Sequence, residues 1–178
     1  MPSYLVTGAR GQLGQCFKAI AKEFPKFKLI FADQKAVDIS RLETLQNSFN
    51  KQPFEGIINC AAYTKVDHSE ENPEMAYSIN TEGIQNLIAF AEAKALSIVH
   101  FSTDYVFDGT NSTPYQEEHK PNPINTYGKS KYEGEQLLVK AKCLNTIFRI
   151  SWLFSPFGNN FVKNILRLSQ KKDSLIVI

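Results

Sequence analysis

The sequence has few of the residues from which disulfides and metal sites are built. Its three cysteines form no Cys-x-x-Cys pair and are odd in number, so we expect reduced thiols in a cytoplasmic protein. Its three histidines lie far apart in the chain, without the spacing of metal ligands. We therefore predict no metal site.

Long apolar runs and blocks of like charge are also missing. No run approaches the roughly 18–20 apolar residues that cross a bilayer, and the N-terminal MPSYLVTGARG has no charged leader before an apolar stretch. We expect neither a membrane span nor a signal peptide. The 20 basic and 18 acidic residues are well mixed and give a net charge of +2, so nucleic acid is not expected as a partner.

Short apolar runs alternate with longer amphipathic segments along the 178 residues, a length that suits one domain. The runs are rich in Ile, Val and Phe and largely unalternated, as in strands covered on both faces. They lie at 4–6, 28–32, 56–61, 96–102, 146–152 and 175–178. Helices are predicted at 12–24, 41–51, 73–94, 127–142 and 159–171. The pattern predicts the α/β class, with a doubly wound parallel sheet in a Rossmann-like, three-layer α/β/α arrangement that binds ligands at the carboxyl ends of its strands.

The segment TGARGQLG follows the first predicted strand and opens the first helix. Gly8, Gly11 and Gly14 permit a tight turn and let the backbone approach a pyrophosphate at the helix N-terminus. A tight turn without a ligand is the alternative interpretation. The strand–turn–helix context favours a dinucleotide site.

A carboxylate at the end of the second strand extends this predicted site. Asp33 lies 19 residues after Gly14, close to the spacing of about 20 expected for a carboxylate on the adenosine ribose. Such a carboxylate favours NAD, whereas Arg10 and Lys35 would attract the 2′-phosphate of NADP. NADH and NADPH therefore both remain open, and Asp33 also fits a plain turn residue.

Later strand ends carry small or polar residues. Asp38–Ile39 either touches the adenine or forms an acidic turn, and the small residues at 60–62 leave room for a cofactor. The fourth strand delivers Thr103 and Asp104 to the edge of the sheet. The irregular segment 103–126 follows, and a loop of that length is usually functional.

Tyr127 and Lys131 of YGKSK are four residues apart in a predicted helix, so both side chains project from one face. A Tyr phenol, with an ordinary pKa of about 10, is a poor acid–base catalyst at neutral pH. An ammonium ~4 Å away, at an effective dielectric constant of ~20, would favour the phenolate by ~4 kcal/mol, or ~3 pKa units. We therefore expect Lys131 to bring the pKa of Tyr127 towards the working pH.

Together these residues resemble the extended short-chain dehydrogenase/reductase superfamily. The segments STDYVFDG, NPINTYGKSKYEGE and FRISWLFSPFGNNF resemble more narrowly the dTDP-4-dehydrorhamnose reductase family, and the resemblance covers nearly the whole chain. It implies NAD(P)H-dependent reduction of the 4-keto group of dTDP-4-dehydro-6-deoxy-L-mannose (dTDP-4-dehydrorhamnose). The product would be dTDP-L-rhamnose, for nucleotide-sugar and cell-surface polysaccharide biosynthesis.

The resemblance also implies roles for individual residues. Tyr127 would protonate the sugar oxygen, Lys131 would tune Tyr127 and hold the nicotinamide ribose, and Thr103 would hydrogen-bond Tyr127 and the reacting oxygen. Thr103, Asp104 and Trp152 would contact the substrate, although Trp152 also fits core packing. The implied cofactor-binding positions are Gly8, Arg10, Gly11, Gln12, Leu13, Gly14, Asp33, Asp38, Ile39, Ala61, Ala62, Tyr63, Thr64, Phe101, Tyr127 and Lys131.

Two other functions stay open. A non-catalytic regulatory subunit on the same fold, like the β subunit of methionine adenosyltransferase, shares much of this motif set. Another nucleotide-sugar epimerase or dehydratase would keep the enzyme class and change the substrate. Asn80, in the predicted helix 73–94, is either structural or part of a proton relay.

The chain ends with DSLIVI, an apolar run with no polar exit. The family that it resembles continues past this point. We therefore interpret residues 1–178 as a NAD(P)-binding Rossmann-like domain, cut before the C-terminal substrate-binding portion. We expect the chain to bind cofactor better than it turns over substrate, and an uncovered strand there to pair with another copy as a homodimer.

Overall fold

Five parallel strands form the centre of the structure, a computed structural model that describes residues 1–171 and Ser174. The strands are β1 (Ser3–Thr7), β2 (Lys28–Phe31), β3 (Gly56–Asn59), β4 (Ser97–Thr103) and β5 (Asn145–Ile150). Their order across the sheet is β2-β1-β3-β4-β5, and every neighbouring pair is parallel. The predicted α/β class with a parallel sheet is confirmed. The sixth predicted strand, 175–178, lies outside the described residues.

The helices follow the predicted alternation, with two differences. They are α1 (Gln12–Ile20), α2 (Leu42–Phe49), α3 (Val66–Glu71), α4 (Pro73–Tyr77), α5 (Gly83–Lys94), α6 (Thr126–Lys140) and α7 (Phe161–Ser169). The predicted helix 73–94 is divided by a π-helical turn at Ser78–Glu82. The short α3 was not predicted, because its sequence VDHSEE has only one apolar residue and therefore no helical periodicity.

Helices cover both faces of the sheet. On one face, the ring of Phe17 from α1 lies 6.1 Å from that of Phe101 in β4. On the other face, Ile98 of β4 belongs to a core that includes Leu87 of α5 and Leu138 of α6. Each such buried aliphatic side chain contributes about 1.5–3 kcal/mol through removal of apolar surface from water. The alternation of side chains along β4 thus assigns successive residues to different helical layers.

The order of the strands reverses at β1, which lies between β2 and β3. In open parallel sheets, ligands bind in the crevice outside the carboxyl ends of the strands at such a reversal. Gly8 follows β1 and the segment 60–62 follows β3. The sequence therefore places its glycine-rich turn and its small residues on the two sides of this crevice.

The π-helical turn packs closely against α6 through Asn80 and Gly134. The Asn80 side chain accepts a hydrogen bond from Tyr63 N (2.9 Å) and donates to Tyr63 O (3.0 Å) and Ser130 Oγ (3.0 Å). A methyl group at Gly134 would overlap the carbonyl oxygen of Asn80. Asn80 thus ties the segment after β3 to α6, which favours the structural interpretation of this residue.

Replacement of Gly134 by alanine tests this close approach. We expect Gly134→Ala to lower the free energy of unfolding by about 2 kcal/mol, because overpacking against fixed backbone outweighs the gain in helix propensity of about 1 kcal/mol. Urea unfolding measures the change. Gln136→Ala, at an exposed position of α6, is the control and should change stability by less than about 0.5 kcal/mol. A Gly134→Ala chain as stable as the parent would contradict the packing described.

Candidate active and cofactor-binding site

The glycine turn after β1 brings backbone close to backbone. Gly8 has φ +64°, a left-handed conformation, and a Cβ there would lie 2.6 Å from Ala61 N. A Cβ on Gly14 would lie 2.7 Å from Ala9 Cα. Gly11 is the N-cap of α1 and makes no side-chain cap, so the first N–H groups of the helix are left for a ligand. The cradle fits a pyrophosphate group.

A cavity of about 510 Å³ opens beside this turn. Eight predicted cofactor residues line it: Gly8, Arg10, Gly11, Asp33, Asp38, Ile39, Ala61 and Ala62. Gln34, Lys35, Val37, Cys60 and Ile79 complete the lining. The pKa of the Cys60 thiol is raised to about 12 by burial and by Cys16, so this cysteine stays protonated and is not a nucleophile at neutral pH.

Asp33 and Arg10 face one another at the mouth of this cavity. The Asp33 carboxylate accepts hydrogen bonds from Lys35 N (3.1 Å) and Ala36 N (3.2 Å), so it also shapes the turn after β2. Arg10 Nη1 lies 3.8 Å from Asp33 Oδ2. A carboxylate that suits a ribose hydroxyl and a guanidinium that suits a phosphate thus stand side by side. Asp38 accepts from the backbone N and the hydroxyl of Ser40, as expected for an acidic turn.

The other predicted cofactor residues lie around this cavity and not in its lining. The Gln12 side chain donates to Leu153 O (2.8 Å) and accepts from Asn160 Nδ2 (3.2 Å), which ties α1 to the segment before α7. Leu13 is half-buried on α1, and Gly14 is buried there. Tyr63 is held by Asn80, and Thr64 lines a second, larger cavity.

Tyr127 and Lys131 are both buried on α6, with 8% and 1% of their surfaces exposed. Lys131 Nζ donates a hydrogen bond to Phe101 O (2.7 Å) and lies 3.2 Å from His100 Nε2. The backbone of Phe101 thus binds Lys131, while its ring packs between Phe17 and Phe148. The contact of Phe101 with the cofactor stays a prediction. Lys131 thus fastens α6 to the carboxyl end of β4.

The first turn of α6, which carries Tyr127, is fixed by two capping side chains. Asn125 Oδ1 accepts from Gly128 N (2.7 Å). The Glu70 carboxylate of α3 accepts from Thr126 N (2.7 Å) and from the Thr126 hydroxyl (2.8 Å), and these bonds lower the pKa of Glu70. The unpredicted helix α3 therefore serves to position the tyrosine.

The expectation that Lys131 lowers the pKa of Tyr127 is wrong for this structure. Burial raises the pKa of Tyr127, and the Asp104 carboxylate and Tyr105 raise it further, while hydrogen bonding to Thr103 acts in the opposite direction. Lys131 directs its amino group to Phe101 and His100 instead. The pKa of Lys131 itself is lowered to about 8 by burial, against the opposing effect of Glu135.

Thr103 and Asp104 form a hydrogen-bonded unit at the end of β4. The Thr103 hydroxyl donates to Asp104 Oδ1 (3.1 Å) and accepts from Tyr105 N (3.2 Å). Asp104 Oδ2 accepts from the hydroxyl of Ser151, just past β5 (2.7 Å). Since Thr103 is 5% exposed and its hydroxyl both donates to Asp104 and accepts from Tyr105 N, that hydroxyl is held in one orientation.

The larger cavity, of about 1340 Å³, lies beyond this unit and is lined by Asp104 and Trp152, two of the predicted substrate residues. Trp152 is 68% exposed, has φ +51° and packs edge-on against Phe161 at 4.7 Å. The alternative interpretation of Trp152 as a core residue is wrong. The predicted strand 146–152 ends at Ile150, and the left-handed backbone of Trp152 is incompatible with its continuation.

Arg149 and Glu135 form an ion pair beside this cavity that was not predicted. Arg149 Nη2 lies 2.7 Å from Glu135 Oε2, Glu135 is 2% exposed, and the pair raises the pKa of Arg149. The Arg149 guanidinium also lies 5.1 Å from the ring centre of Phe107. A charged residue between two apolar residues of a predicted strand, Phe148 and Ile150, was the available signal, because buried charges are paired.

Two kinds of feature are not found among residues 1–171 and Ser174. No group of three or more His, Cys, Asp or Glu side chains is arranged to hold a metal ion. No helix in this part of the chain is long and apolar enough to cross a membrane.

A family model and several known proteins match this chain. A family model described as the RmlD substrate binding domain matches residues 3–178. The chain is similar to dTDP-4-dehydrorhamnose reductases of Sinorhizobium fredii (39% identical over 97% of this chain and 58% of the relative) and Aggregatibacter actinomycetemcomitans (40% over 100% and 60%). It is also similar to the crystal structure of dTDP-4-dehydrorhamnose reductase from Bacillus anthracis in complex with NADP, with a TM-score of 0.89 and 39% identity over 97% of this chain and 61% of that chain. The chain thus spans about three fifths of the length of these relatives.

The pKa of Lys131 predicts a pH dependence of stability. Between pH 8 and 10.5 the unfolded chain keeps a proton on Lys131 that the folded chain has released. The free energy of unfolding therefore increases as the pH rises through this range. Relative to Lys131→Met, which lacks this proton, the parent chain should gain about 3 kcal/mol across that window. Urea unfolding of both chains at several pH values measures the gain. A difference that does not change with pH would show that Lys131 titrates normally.

Proposed function

The chain belongs to the RmlD substrate binding domain family, and we propose that it carries the cofactor site and the proton-donating residues of a NAD(P)H-dependent reductase. The proposed reaction converts dTDP-4-dehydrorhamnose to dTDP-L-rhamnose. Residues 1–178 would form the NAD(P)-binding Rossmann-like domain of this enzyme. The similarity to reductases that act in this way supports the proposal.

One observation carries the proposal: α6, with Tyr127 and Lys131, is bound to the carboxyl end of β4, where Thr103 lies. The bond from Lys131 Nζ to Phe101 O lies two residues before Thr103. The ring of Tyr127 packs edge-on against that of Tyr105, two residues after Thr103, with 5.6 Å between the ring centres. These contacts support a convergence of Thr103, Tyr127 and Lys131 at the carboxyl edge of the sheet, where the glycine turn after β1 also lies.

The residues of the smaller cavity fit a dinucleotide. The glycine turn would approach the pyrophosphate, and Asp33 with Arg10 would meet the adenosine ribose. Bound NADH or NADPH would supply the hydride. Because an acidic and a basic side chain, Asp33 and Arg10, lie side by side at the proposed ribose position, both cofactors are kept in the proposal.

Tyr127 is the proposed proton donor. Its raised pKa keeps the phenol protonated at neutral pH, so Oη–H is ready to protonate the sugar oxygen as that oxygen gains negative charge. Thr103, which is held by Asp104 and Tyr105 N, would fix the direction of this transfer. Lys131, with its pKa near 8, would then help to restore the phenol.

The larger cavity is the proposed sugar-nucleotide side. Asp104 offers an acceptor there, and Trp152 offers an exposed aromatic surface. A homodimer and a cytoplasmic location stay predictions. Exposed apolar side chains on one flank, Val139, Leu144 and Phe148, are consistent with contact to a second copy.

Replacement of Gly8 tests the cofactor cradle. Gly8→Ala should weaken binding of NADPH or NADH at least tenfold, measured by the change in cofactor fluorescence, because the added Cβ would displace the Ala61 backbone. Gly109→Ala is the matched control. Gly109 also has positive φ (+76°), but nothing lies within 4 Å of its added Cβ, so it bears the same strain of about 1–2 kcal/mol. It lines the larger cavity and not the smaller cavity that is proposed for the cofactor. Equal cofactor binding by both variants would contradict the proposed cradle.

Replacement of Tyr127 tests the chemistry. Tyr127→Phe should reduce the oxidation of NAD(P)H by dTDP-4-dehydrorhamnose at least 100-fold, since general acid catalysis contributes about 100- to 10,000-fold. Tyr4→Phe makes the same change near the opposite, amino end of β1 and should leave the rate unaltered. Unchanged turnover by Tyr127→Phe would remove this residue as the proton donor.

A further inference from the structure

A line of four buried polar side chains runs under the sheet edge, from Thr7 through Asn59 and His100 to Lys131. Each is at most 1% exposed. Thr7 Oγ1 lies 2.6 Å from Asn59 Oδ1, Asn59 Nδ2 lies 3.0 Å from His100 Nδ1, and His100 Nε2 lies 3.2 Å from Lys131 Nζ. The line joins β1, β3, β4 and α6. Of these four residues, only Lys131 takes part in the proposed reaction.

The orientation of the Asn59 amide is fixed by a backbone group. Ala61 N donates a hydrogen bond to Asn59 Oδ1 (3.2 Å), and a backbone N–H has no acceptor role. The carbonyl oxygen of Asn59 therefore faces Ala61, and its NH₂ group faces the ring of His100. His100 Nδ1 must then be the acceptor in this contact.

A neutral imidazole has one N–H, so the ring proton of His100 lies on Nε2 and points at Lys131. An uncharged amine offers a lone pair to that proton. An ammonium offers only further N–H groups, and the contact becomes repulsive. The hydrogen-bond pattern seen here therefore suits the uncharged form of Lys131.

We propose that His100 is a positioning residue whose tautomer is coupled to the charge of Lys131. The ring proton stays on Nε2 while Lys131 is an amine, and it moves to Nδ1 when Lys131 becomes an ammonium. The relevance to catalysis rests on the proposed function, in which Lys131 serves Tyr127. The ring carries one proton in both states. The added proton is taken from solvent and resides on Nζ.

The consequence of this exchange reaches the cofactor cavity. When Nδ1 carries the proton, Asn59 must turn its oxygen towards His100, and the bond from Ala61 N is lost. Ala61 lines the cofactor cavity and is the residue against which Gly8 packs. A change of charge on Lys131 thus alters the strand end that supports the glycine cradle.

The charged groups around His100 and Lys131 allow Lys131 to gain and lose a proton while His100 stays neutral. Burial and the Lys131 charge hold the pKa of His100 well below its ordinary range, so its ring stays neutral. Lys131 itself titrates near pH 8. Glu135 of α6 is the charged group that favours the ammonium, and Arg149 of β5 pairs with it. Asp104 acts on the adjoining Tyr127.

Nitrogen-15 NMR of the imidazole rings tests the proposal on the chain alone. The two ring nitrogens of His100 give separate signals that identify the protonated one, and replacement of His68 and His119 in turn assigns the three histidines. Above about pH 8 we expect the Nε2–H tautomer, and below it the Nδ1–H tautomer, with faster hydrogen exchange at the amide of Ala61. A single tautomer over the whole range, or an imidazolium at neutral pH, would overturn the proposal.

Two variants separate this coupling from a merely structural role. Lys131→Met should lock His100 in the Nε2–H form at every pH, because the Asn59 contact alone then decides. His100→Asn places an amide near Nδ1 and keeps the contact to Asn59, whereas His100→Gln places one near Nε2 and can accept from an ammonium. We expect His100→Gln to raise the pKa of Lys131, read from its side-chain NMR signals, more than His100→Asn does. Equal values in the two variants would refute the role of Nε2, and neither measurement needs cofactor or sugar.

Discussion

The site depends on one buried amine. Lys131 is 1% exposed and bonded to Phe101 O, so α6 cannot shift along β4 without leaving an unpaired polar group in the interior. That constraint holds Tyr127, one helical turn before Lys131 on α6, near the carboxyl end of β4. The same burial lowers the pKa of Lys131 to about 8, which gives this side chain a proton that it can exchange near neutral pH.

The sequence predicted those parts of the site that are encoded locally. Gly8, Gly11 and Asp33 could be placed because each lies within the first four residues after a strand, and the carboxyl ends of parallel strands share one edge. Tyr127 and Lys131 could be paired because helical spacing puts both on one face. These placements needed only secondary structure and the order of the strands.

Features that depend on contacts between distant segments were missed or were wrong. The pKa of Tyr127 goes up because burial and Asp104 act on it while Lys131 bonds elsewhere, and no spacing along the chain reports that balance. The contact between His100 and Lys131 was not predicted, because the two residues lie 31 positions apart in the chain. The π-helical turn also arises from tertiary packing, because it brings Asn80 onto Tyr63 and Ser130.

The central claim is that a cofactor bound at the glycine turn and a sugar in the larger cavity meet at Thr103, Tyr127 and Lys131. A single-turnover experiment tests it most directly: the chain is loaded with one equivalent of NADPH and mixed with excess dTDP-4-dehydrorhamnose, and cofactor absorbance is followed while the sugar product is identified. The account predicts loss of the reduced cofactor together with formation of dTDP-L-rhamnose. Bound cofactor that stays reduced at saturating sugar would contradict it and would favour a non-catalytic role for this fold.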